Sequence, residues 1–484
     1  MTSVAMTVER LKRRALSLGA VKTFDYAMQF LLPVVLVRCL DAETFGEYRL
    51  LWLAVGTVMS LAPLNIPQSL YFFLPRSASR LRRVYLMNTL AFLAVTGLLA
   101  AWAVSAWDPW RPAAIAPLAR YGVAVPLFVL LYVITYTLDF LPTIEERIRL
   151  QAMVTVGLSA TRVVLLSAAA FYTGELMPML WVLIGIAALK LALLLGYTAW
   201  FHGLARPWLD RKVFSGHFRH AAPIGVSQGL FMMRQQVDQW VAANLFSLGS
   251  FAAFSVAAVL GPVVNLFRNS VNEAFLPSMS RMQAAGDVRG ILEMNSRANC
   301  MVATLLYPLL GFAFVFAQDI ISVVYTSNYL EAVPVMRLYI AGLAAMVVEI
   351  GSLTLVMREG EFAMRVNLAV LAVAALASFA GAKAFGLPGA AAGSVIAVYL
   401  DRTAMMWRFA GRSGIAFRKV QDWRGLGLAF VYSALSAAFT WGMVDLYLQD
   451  AKPLMRLAAG AVLLGAAYAA LPMLVGARRL RPAP

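Results

Sequence analysis

Charged residues are scarce in this 484-residue chain: 13% are Asp, Glu, Lys or Arg, whereas 61% are hydrophobic. Soluble domains have about 25% charged and roughly 45–50% apolar residues. Two cysteines, Cys39 and Cys300, are too few for a disulfide framework, and neither has a metal-ligand neighbour. The three histidines lie in one basic stretch at 202–220. These shortages exclude a secreted disulfide scaffold, a disordered chain and an ordinary soluble enzyme, and we expect neither a metal nor a cofactor.

Long apolar runs dominate the chain, and its mean hydropathy is +0.74. A transmembrane helix needs about 20 apolar residues. The sequence predicts an all-α polytopic membrane protein with about 14 transmembrane helices, joined by connections of at most 23 residues. The predicted spans are 15–36, 50–72, 84–106, 119–141, 151–172, 177–200, 220–245, 251–273, 297–318, 331–356, 363–384, 387–407, 425–447 and 455–476.

The distribution of Lys and Arg predicts the orientation. The two termini and the even-numbered connections hold 27 of the 41 basic residues, whereas the opposite side holds 7. Because cytoplasmic loops accumulate Lys and Arg, we expect both termini in the cytoplasm and no cleaved signal peptide. The same rule explains the net charge of +17 better than nucleic-acid binding, since the sequence has no Cys/His finger and no aromatic RNA-binding strand.

Two segments 206 residues apart indicate an internal duplication. The first predicted span ends in LDAETFGEY at 40–48, and the seventh ends in LFSLGSFAAF at 245–254. Both run from a leucine through a small turn to two aromatic residues. The spacing predicts two six-helix lobes and an appended helix pair. The predicted boundaries are an N-terminal lobe at 1–201, a cytoplasmic linker at 202–219, a C-terminal lobe at 220–410 and the appended pair at 420–477.

Several charged residues fall inside the predicted spans, where each costs at least about 2.5–3.5 kcal/mol. We therefore expect them to pair, to reach the interface or to line water. The basic residues are Lys22, Arg162, Lys190, Arg234, Arg268, Arg337 and Arg402. The acidic residues are Asp25, Asp238, Glu349 and Asp401, with Glu273 at a span edge.

Two pairs are spaced to share a helix face. Arg234 and Asp238 are four residues apart, and Lys22 and Asp25 are three apart. Arg234 and Asp238 are expected either to face a cavity or to form a structural salt bridge. Lys22 is expected either to line the cavity or to extend to the interface, and Asp25 is a candidate proton or sodium site.

The remaining basic residues leave more alternatives open. Arg162 and Lys190 lie mid-span without an acidic partner on the same helix, so they either face a cavity or pair across helices. Arg268 and Arg337 lie towards opposite membrane faces. They are expected either to mark two successive positions along one transport path or to extend to the membrane interface. Adjacent Asp401 and Arg402 diverge by about 100° on a helix, and we expect them to make separate contacts.

Prolines predict breaks in two spans, because proline removes an intrahelical hydrogen bond. Pro63 and Pro67 fall in the second predicted span, and Pro262 follows Gly261 in the eighth.

Four segments resemble segments of one transporter family and occur in the same order along the chain. They are LDAETFGEY at 40–48, AFLPSMSR at 274–281, YLEAVPVMRLY at 329–339 and FGLPGAAAG at 385–393. On these residues the chain resembles the Wzx-type polysaccharide flippases of the multidrug/oligosaccharidyl-lipid/polysaccharide exporter superfamily. One departure is Gln239 after Asp238, where family members often carry Asp-Arg.

The resemblance implies a V-shaped pair of lobes with alternating access that moves a lipid-pyrophosphate-linked oligosaccharide to the outer leaflet. It implies a role in O-antigen or exopolysaccharide assembly in a bacterial inner membrane, with membrane lipids and a polysaccharide polymerase as partners. A cationic cavity would lower the barrier to moving the pyrophosphate. The candidate substrate-binding residues are Arg234, Lys22, Arg162, Lys190, Arg268 and Arg337, and the candidate proton- or sodium-coupling residues are Asp25 and Asp238.

Three other functions are possible for such a chain. An ion-coupled multidrug or metabolite exporter of the same fold would favour a more acidic or apolar pocket. A polymerase or ligase would need a large outer loop with catalytic groups, whereas the outer connections between the predicted spans have at most 13 residues and no histidine. A scaffold would not need charges at mid-bilayer depth. We therefore predict a transporter rather than an enzyme.

Overall fold

The computed structural model describes residues 2–105, 113–203 and 209–474, except for the side chains of 2–18, 20, 22 and 471–474. The described residues are mainly helical, and the chain divides into two compact units, Met1–Gln236 and Val237–Pro484. The predicted linker at 202–219 lies partly outside the described residues, and the predicted lobe boundaries stay predictions.

The first unit is built from α-helices and two short 3-10 helices. Its α-helices are α1 Thr2–Cys39, α2 Ala42–Leu61, α3 Ile66–Phe73, α4 Ser79–Ala103, α5 Ala124–Ile134, α6 Leu141–Ile144, α7 Ile148–Thr173, α8 Leu176–His202 and α9 Arg211–Arg234. The 3-10 helices are Ala113–Tyr121 and Thr135–Asp139.

The second unit continues in the same way, with one 3-10 turn at Ser327–Tyr329. Its α-helices are α10 Val237–Leu245, α11 Leu248–Val256, α12 Gly261–Ala284, α13 Val288–Val315, α14 Ala317–Tyr325, α15 Ala332–Met346, α16 Gly351–Val356, α17 Gly360–Ser413, α18 Phe417–Val420, α19 Trp423–Leu448 and α20 Pro453–Leu474.

The two duplicated segments fold into the same local structure. Asp41 caps α2 by accepting the backbone N–H of Thr44 at 2.7 Å, and 206 residues later Ser247 caps α11 by accepting that of Ser250 at 3.2 Å. The first aromatic residue after each cap, Phe45 or Phe251, is fully buried. Because a side-chain oxygen at this position satisfies an N–H at the start of a helix, both segments turn the chain sharply from one helix into the next.

Close helix packing in the first unit relies on glycine. In a bilayer the lipid is as apolar as the side chains, so small residues that let backbones approach contribute to helix association. A Cβ at Gly225 of α9 would overlap the backbone of Leu64, and one at Gly229 would lie 2.9 Å from the carbonyl oxygen of Ser60. Thus α9 packs directly on the end of α2 and on the bend that follows it.

That bend confirms the break expected in the second predicted span. Helices α2 and α3 meet at 43°, and Leu64 and Asn65 between them adopt positive φ angles of 44° and 60°. The eighth predicted span is also interrupted, because α11 ends at Val256 and α12 begins at Gly261.

Helix α17 is a hairpin rather than one 54-residue rod. Gly386 has φ 68° and ψ −146°, which only glycine adopts readily. A Cβ at Gly389 would overlap the carbonyl oxygen of Gly381, so the two arms touch backbone to backbone. At the open end, Glu359 binds Arg408 at 2.8 Å and Arg412 at 2.6 Å. In an unbroken helix, 49 residues would separate Glu359 from Arg408 by roughly 74 Å.

The structure supports many membrane crossings but does not confirm the number fourteen. Among the described residues, ten helices are long and apolar enough to cross a membrane, and the bent pair α2–α3 makes an eleventh. One of the ten is the α17 hairpin, which covers both 363–384 and 387–407. The seventh predicted span differs most, because it is split between α9 and α10.

Candidate functional site

Asp25 of α1 is the centre of a polar cluster in the first unit. Helix α1 packs along α7, which brings Ser159 and Arg162 to its carboxylate. Ser159 Oγ donates to Asp25 Oδ1, Gln29 Nε2 donates to Oδ2 at 2.7 Å, and Arg162 Nη2 lies 4.0 Å from Oδ1. The predicted residues Asp25 and Arg162 are therefore neighbours, from sequence positions 137 residues apart.

Lys190 of α8 forms a second ion pair in the same unit. Its Nζ lies 2.8 Å from Asp139 Oδ1 and 5.8 Å from the ring centroid of Tyr132. Only 14% of the lysine side chain is exposed, whereas 46% of the Asp139 side chain is exposed. Thus Lys190 pairs across helices, one of the two alternatives that the sequence left open.

Both ion pairs line one cavity of about 220 Å³. Its wall also includes Trp52, Phe128 and Tyr132, whose rings pack edge to face or tilted around 5.5–6.0 Å apart. The cavity therefore holds two guanidinium or ammonium groups, two carboxylates and an aromatic wall. Such a site can exchange a carboxylate partner for a phosphate oxygen without leaving a cation unpaired, and it can hold a cation beside Asp25 or Asp139.

Asp139 was missed by the sequence interpretation. It lies two residues before the end of the predicted span 119–141, where an acidic residue is easily assigned to the interface. The structure instead places it at the end of the 3-10 helix Thr135–Asp139, facing Lys190. The available signal was the tyrosine-rich stretch YVITYTLD, which is unusually polar for a membrane span.

Arg234 occupies the last position of α9. Its side chain is buried, with the guanidinium carbon 5.2 Å from the ring centroid of Phe231. A turn at Gln235 and Gln236 follows, and Gln236 accepts a 2.8 Å hydrogen bond from Thr57 of α2. The expected arrangement of Arg234 and Asp238 on one continuous helix is therefore wrong, because the helix ends between them.

Asp238 lies in the second unit and is buried. Tyr339 of α15 donates its hydroxyl to Asp238 Oδ2 at 2.8 Å, and the backbone N–H of Gln239 donates to Oδ1 at 2.8 Å. Both carboxylate oxygens therefore have a donor, which links the start of α10 to α15.

Arg268 and Arg337 each bind a backbone carbonyl in the second unit. Arg268 of α12 donates to Met346 at 3.2 Å, and Arg337 of α15 donates to Phe314 at 3.1 Å, near the end of α13. The last carbonyls of a helix lack intrahelical partners, so Arg337 completes that helix end. These contacts give both side chains a structural role at their present positions.

Two further placements complete the predicted set. Lys22 lies on α1, and its side chain is outside the described residues. Asp401 and Arg402 do not make only separate contacts as expected: Arg402 Nη1 lies 2.7 Å from Asp401 Oδ2. Long guanidinium side chains can curve back across the angle between adjacent helical positions.

A family profile described as "Polysaccharide biosynthesis protein" matches residues 11–283, more than half of the chain. The chain belongs to this family. The match includes every residue of the Asp25–Lys190 cavity. A search of curated proteins finds no match to this polysaccharide biosynthesis family member.

Solved structures with this fold are transporters. A lipid II flippase, MurJ in an inward closed conformation, has a TM-score of 0.63 and 14% identity, covering 94% of this chain and 99% of its own. An inward-facing multidrug resistance MATE transporter of the MOP superfamily has a TM-score of 0.60 and 12% identity, covering 80% and 96%. An outward-facing one has a TM-score of 0.53 and 15% identity, covering 83% and 97%. This polysaccharide biosynthesis family member is therefore an all-helical, multi-pass membrane protein with the MurJ/MATE transporter fold.

Proposed function

We propose that the protein is a flippase that moves a lipid-pyrophosphate-linked oligosaccharide from the inner to the outer leaflet by alternating access. The product would feed O-antigen or exopolysaccharide assembly. The observation that carries this proposal is the family match over 11–283, because that region contains the cavity with Arg162 and Lys190.

The cavity supplies the chemistry that a pyrophosphate needs. An anionic headgroup loses its hydration on entering an apolar interior, and charge-assisted hydrogen bonds replace it. Arg162 offers a planar fork of donors and Lys190 a compact ammonium group. In the structure each faces a carboxylate, at 4.0 Å and 2.8 Å respectively. Substrate phosphate would take the place of Asp25 and Asp139 as the partner of these cations.

The same exchange gives a route for ion coupling. When the phosphate displaces Asp25, the carboxylate needs a proton or a sodium ion, because a bare charge at this depth is costly. Release of that ion would return Asp25 to Arg162 and expel the headgroup. Asp238 is retained as a second coupling candidate through its bond to Tyr339.

The other candidate substrate-binding residues are supported to different degrees by their contacts. Lys22 and Arg234 stay in the proposed substrate path. The backbone bonds of Arg268 and Arg337 favour a structural role in the present conformation. We also propose an inner-membrane location with cytoplasmic termini, a polymerase partner that receives the product, and transport without catalysis.

One observation favours a second candidate, an ion-coupled exporter of small molecules. The cavity is only about 220 Å³ and its charged side chains balance. Drug-sized ligands occupy pockets of about 300–1,000 Å³. A small organic cation beside Asp25 and Asp139 fits this volume with less rearrangement than a pyrophosphate does.

The test is complementation of a strain that lacks the gene. Arg162→Ala and Lys190→Ala should abolish surface polysaccharide while the protein is produced at normal level. Arg365→Ala is the matched control, because this arginine is exposed and pairs with Glu361 on the surface of α17. Normal polysaccharide in both cavity variants, with resistance to a cationic drug lost in Asp25→Asn and Asp139→Asn, would establish the exporter instead.

A further inference from the structure

A larger cavity of about 950 Å³ lies in the second unit, away from any residue proposed above for transport. It lies where the first turns of α13 meet the segment that joins α17 to α19. We call it the basic pocket and define it by Arg297, Phe417, Arg418, Lys419, Trp423 and Arg424.

The basic pocket carries four cations without ion-pair partners. Within the described residues, Arg297, Arg418, Lys419 and Arg424 form no salt bridge, and all four are exposed. The two acidic residues in the wall are engaged with other groups. Glu293 lies 3.6 Å from Arg289, and Asp422 caps α19 by accepting the N–H of Gly425 at 2.8 Å.

Buried hydrogen bonds hold the pocket in place. Gln421 accepts from Asn299 Nδ2 at 2.8 Å and donates to Ser296 Oγ at 3.1 Å. The backbone N–H of Asp422 also donates to Ser296 Oγ, at 2.8 Å. The segment that bears three of the cations is therefore fixed to α13, and the site is organised before a ligand arrives.

An aromatic pair forms one wall. Trp423 and Phe417 stack with ring centroids 5.5 Å apart and an interplanar angle of 19°. The indole N–H donates to the carbonyl oxygen of Phe417 at 3.3 Å. Tryptophan with a satisfied N–H and an exposed ring is typical of the boundary between lipid headgroups and hydrocarbon.

The pocket lies at the end of two candidate spans. Helices α13 and α19 run parallel, because Tyr307 packs against Phe430 and, further along both helices, Gly311 packs against Ala437. Both spans begin at the pocket, and α19 begins at Trp423 itself. The basic pocket therefore lies at the membrane surface, on the side that the distribution of Lys and Arg predicts to be cytoplasmic.

Apolar surface continues from the cations towards the bilayer. Met301 and Leu305 follow Arg297 at successive intervals of four residues, so they extend along the same face of α13. They are 52% and 57% exposed. A ligand with an anionic head and an apolar body matches this surface, whereas a free phosphate ion would use only the cations.

We propose that the basic pocket binds the phosphate headgroup of an anionic phospholipid of the cytoplasmic leaflet, with an acyl chain along Met301 and Leu305. The lipid is a resident ligand and not the transported substrate. It bridges α13 and α19, so that it joins the predicted appended pair to the helices of the preceding lobe. The site does not depend on the proposed flippase activity.

Native mass spectrometry of the delipidated full-length protein tests this site directly. The probes are phosphatidylglycerol and cardiolipin, with phosphatidylethanolamine as the zwitterionic comparison. The pocket variant combines Arg297→Gln, Arg418→Gln, Lys419→Gln and Arg424→Gln. The matched control removes the same charge from the same predicted side, outside the pocket, with Arg211→Gln, Lys212→Gln, Arg219→Gln and Arg281→Gln.

The unchanged protein and the control should retain an anionic lipid about tenfold better than the zwitterionic one, and the pocket variant should lose that preference. If the fourfold variant does not fold, the pair Arg418→Gln and Lys419→Gln, whose side chains are exposed, should show a partial loss. Equal loss in the control, or retention in the folded pocket variants, would overturn the proposal. So would inorganic pyrophosphate that binds as tightly as the lipids. Because lipid retention is the readout, a failed transport assay does not affect the result.

Discussion

The Nζ atom of Lys190 lies 2.8 Å from Oδ1 of Asp139, 51 residues earlier in the chain. The contact joins α8 to the short 3-10 helix after α5, in the cavity that also holds Asp25 and Arg162. Each cation in this cavity has a carboxylate partner, which a phosphate would replace under the proposed function, and this pairing leads to the first two predictions.

Asp139→Asn should impair transport more than stability. The change removes the counter-ion of Lys190 but preserves the size of the side chain. Because the Asp139 side chain is 46% exposed, we expect a stability loss of only about 1 kcal/mol. Flipping of a fluorescent lipid-pyrophosphate in proteoliposomes should fall at least about tenfold, since Lys190 loses the carboxylate that orients it in the cavity.

The double variant Asp139→Asn with Lys190→Met separates the effect on stability from the effect on transport. It should recover thermal stability, because no unpaired ammonium group remains, and it should still fail to transport. Full transport by the double variant would show that this ion pair is only structural.

Asp25→Asn should remove the dependence of transport on an ion gradient. The amide oxygen can accept the hydrogen bond of Gln29, and the amide N–H can donate to Ser159 Oγ. The amide neither binds a proton at moderate pH nor attracts sodium as strongly as a carboxylate does. Initial rates are measured in proteoliposomes with a proton gradient, a sodium gradient or neither. Glu361→Gln, on the exposed surface of α17, is the control. If Asp25→Asn still responds to the gradients as the unchanged protein does, Asp25 is not the coupling group.

Gly389→Ala should disrupt the α17 hairpin. Its Cβ would overlap the carbonyl oxygen of Gly381, and the backbone cannot yield as a flexible side chain would. We expect a loss of at least about 2 kcal/mol in the free energy of unfolding, seen as a lower midpoint of thermal unfolding in detergent. Gly411→Ala on the same helix is the control. It has open space at the Cβ position and should be neutral or stabilising by up to about 1 kcal/mol. Equal midpoints for the two variants would mean that the arms can separate without cost.

Glu359 should make the protein sensitive to acid. Burial raises the pKa of this carboxyl, but the bonds to Arg408 and Arg412 outweigh burial, and the pKa is lowered from its ordinary value of 4.5. A lowered pKa stabilises the folded state above the unfolded-state value, and this contribution disappears as pH falls through the folded-state value. Since both arginines are partly exposed, about 1 kcal/mol should be lost below roughly pH 4.

Thermal unfolding of Glu359→Gln between pH 3 and 7 measures that contribution. The variant should be less stable at neutral pH and should lose less stability on acidification. Parallel curves for the variant and the unchanged protein would show that the carboxylate does not interact with the arginines in solution.

Local sequence patterns predicted the elements but only part of their pairing. The repeat of Asp41–Phe45 at Ser247–Phe251 was visible because cap and aromatic residues recur at fixed spacing, and both segments fold alike. The bend near Pro63 was predictable because proline restricts the helix locally. The charges at mid-span were likewise visible, since a charge within an apolar run stands out.

Partners across helices could not be predicted from spacing. Arg162 finds Asp25 on α1, and Lys190 finds Asp139 before α6, because helices pack side by side in ways that a single sequence does not encode at short range. The end of α9 at Arg234 was hidden for a related reason. The two glutamines that follow are ordinary helix formers, and Gln236 leaves the helix to bind Thr57 of another helix. Tertiary contact therefore overrides local preference at this turn.

The ion pairs of Glu359 with Arg408 and Arg412 require both ends of α17 to lie on the same side of the membrane. The chain reverses direction at Gly386, and the two arms of α17 meet again at these ion pairs. Residues 359 and 412 must therefore emerge in the same compartment, whichever compartment that is. Reporter fusions at these two sites must therefore agree, and the hairpin cannot invert the sidedness of the chain that follows it. The orientation of α19 and α20 is inherited from the helices before α17.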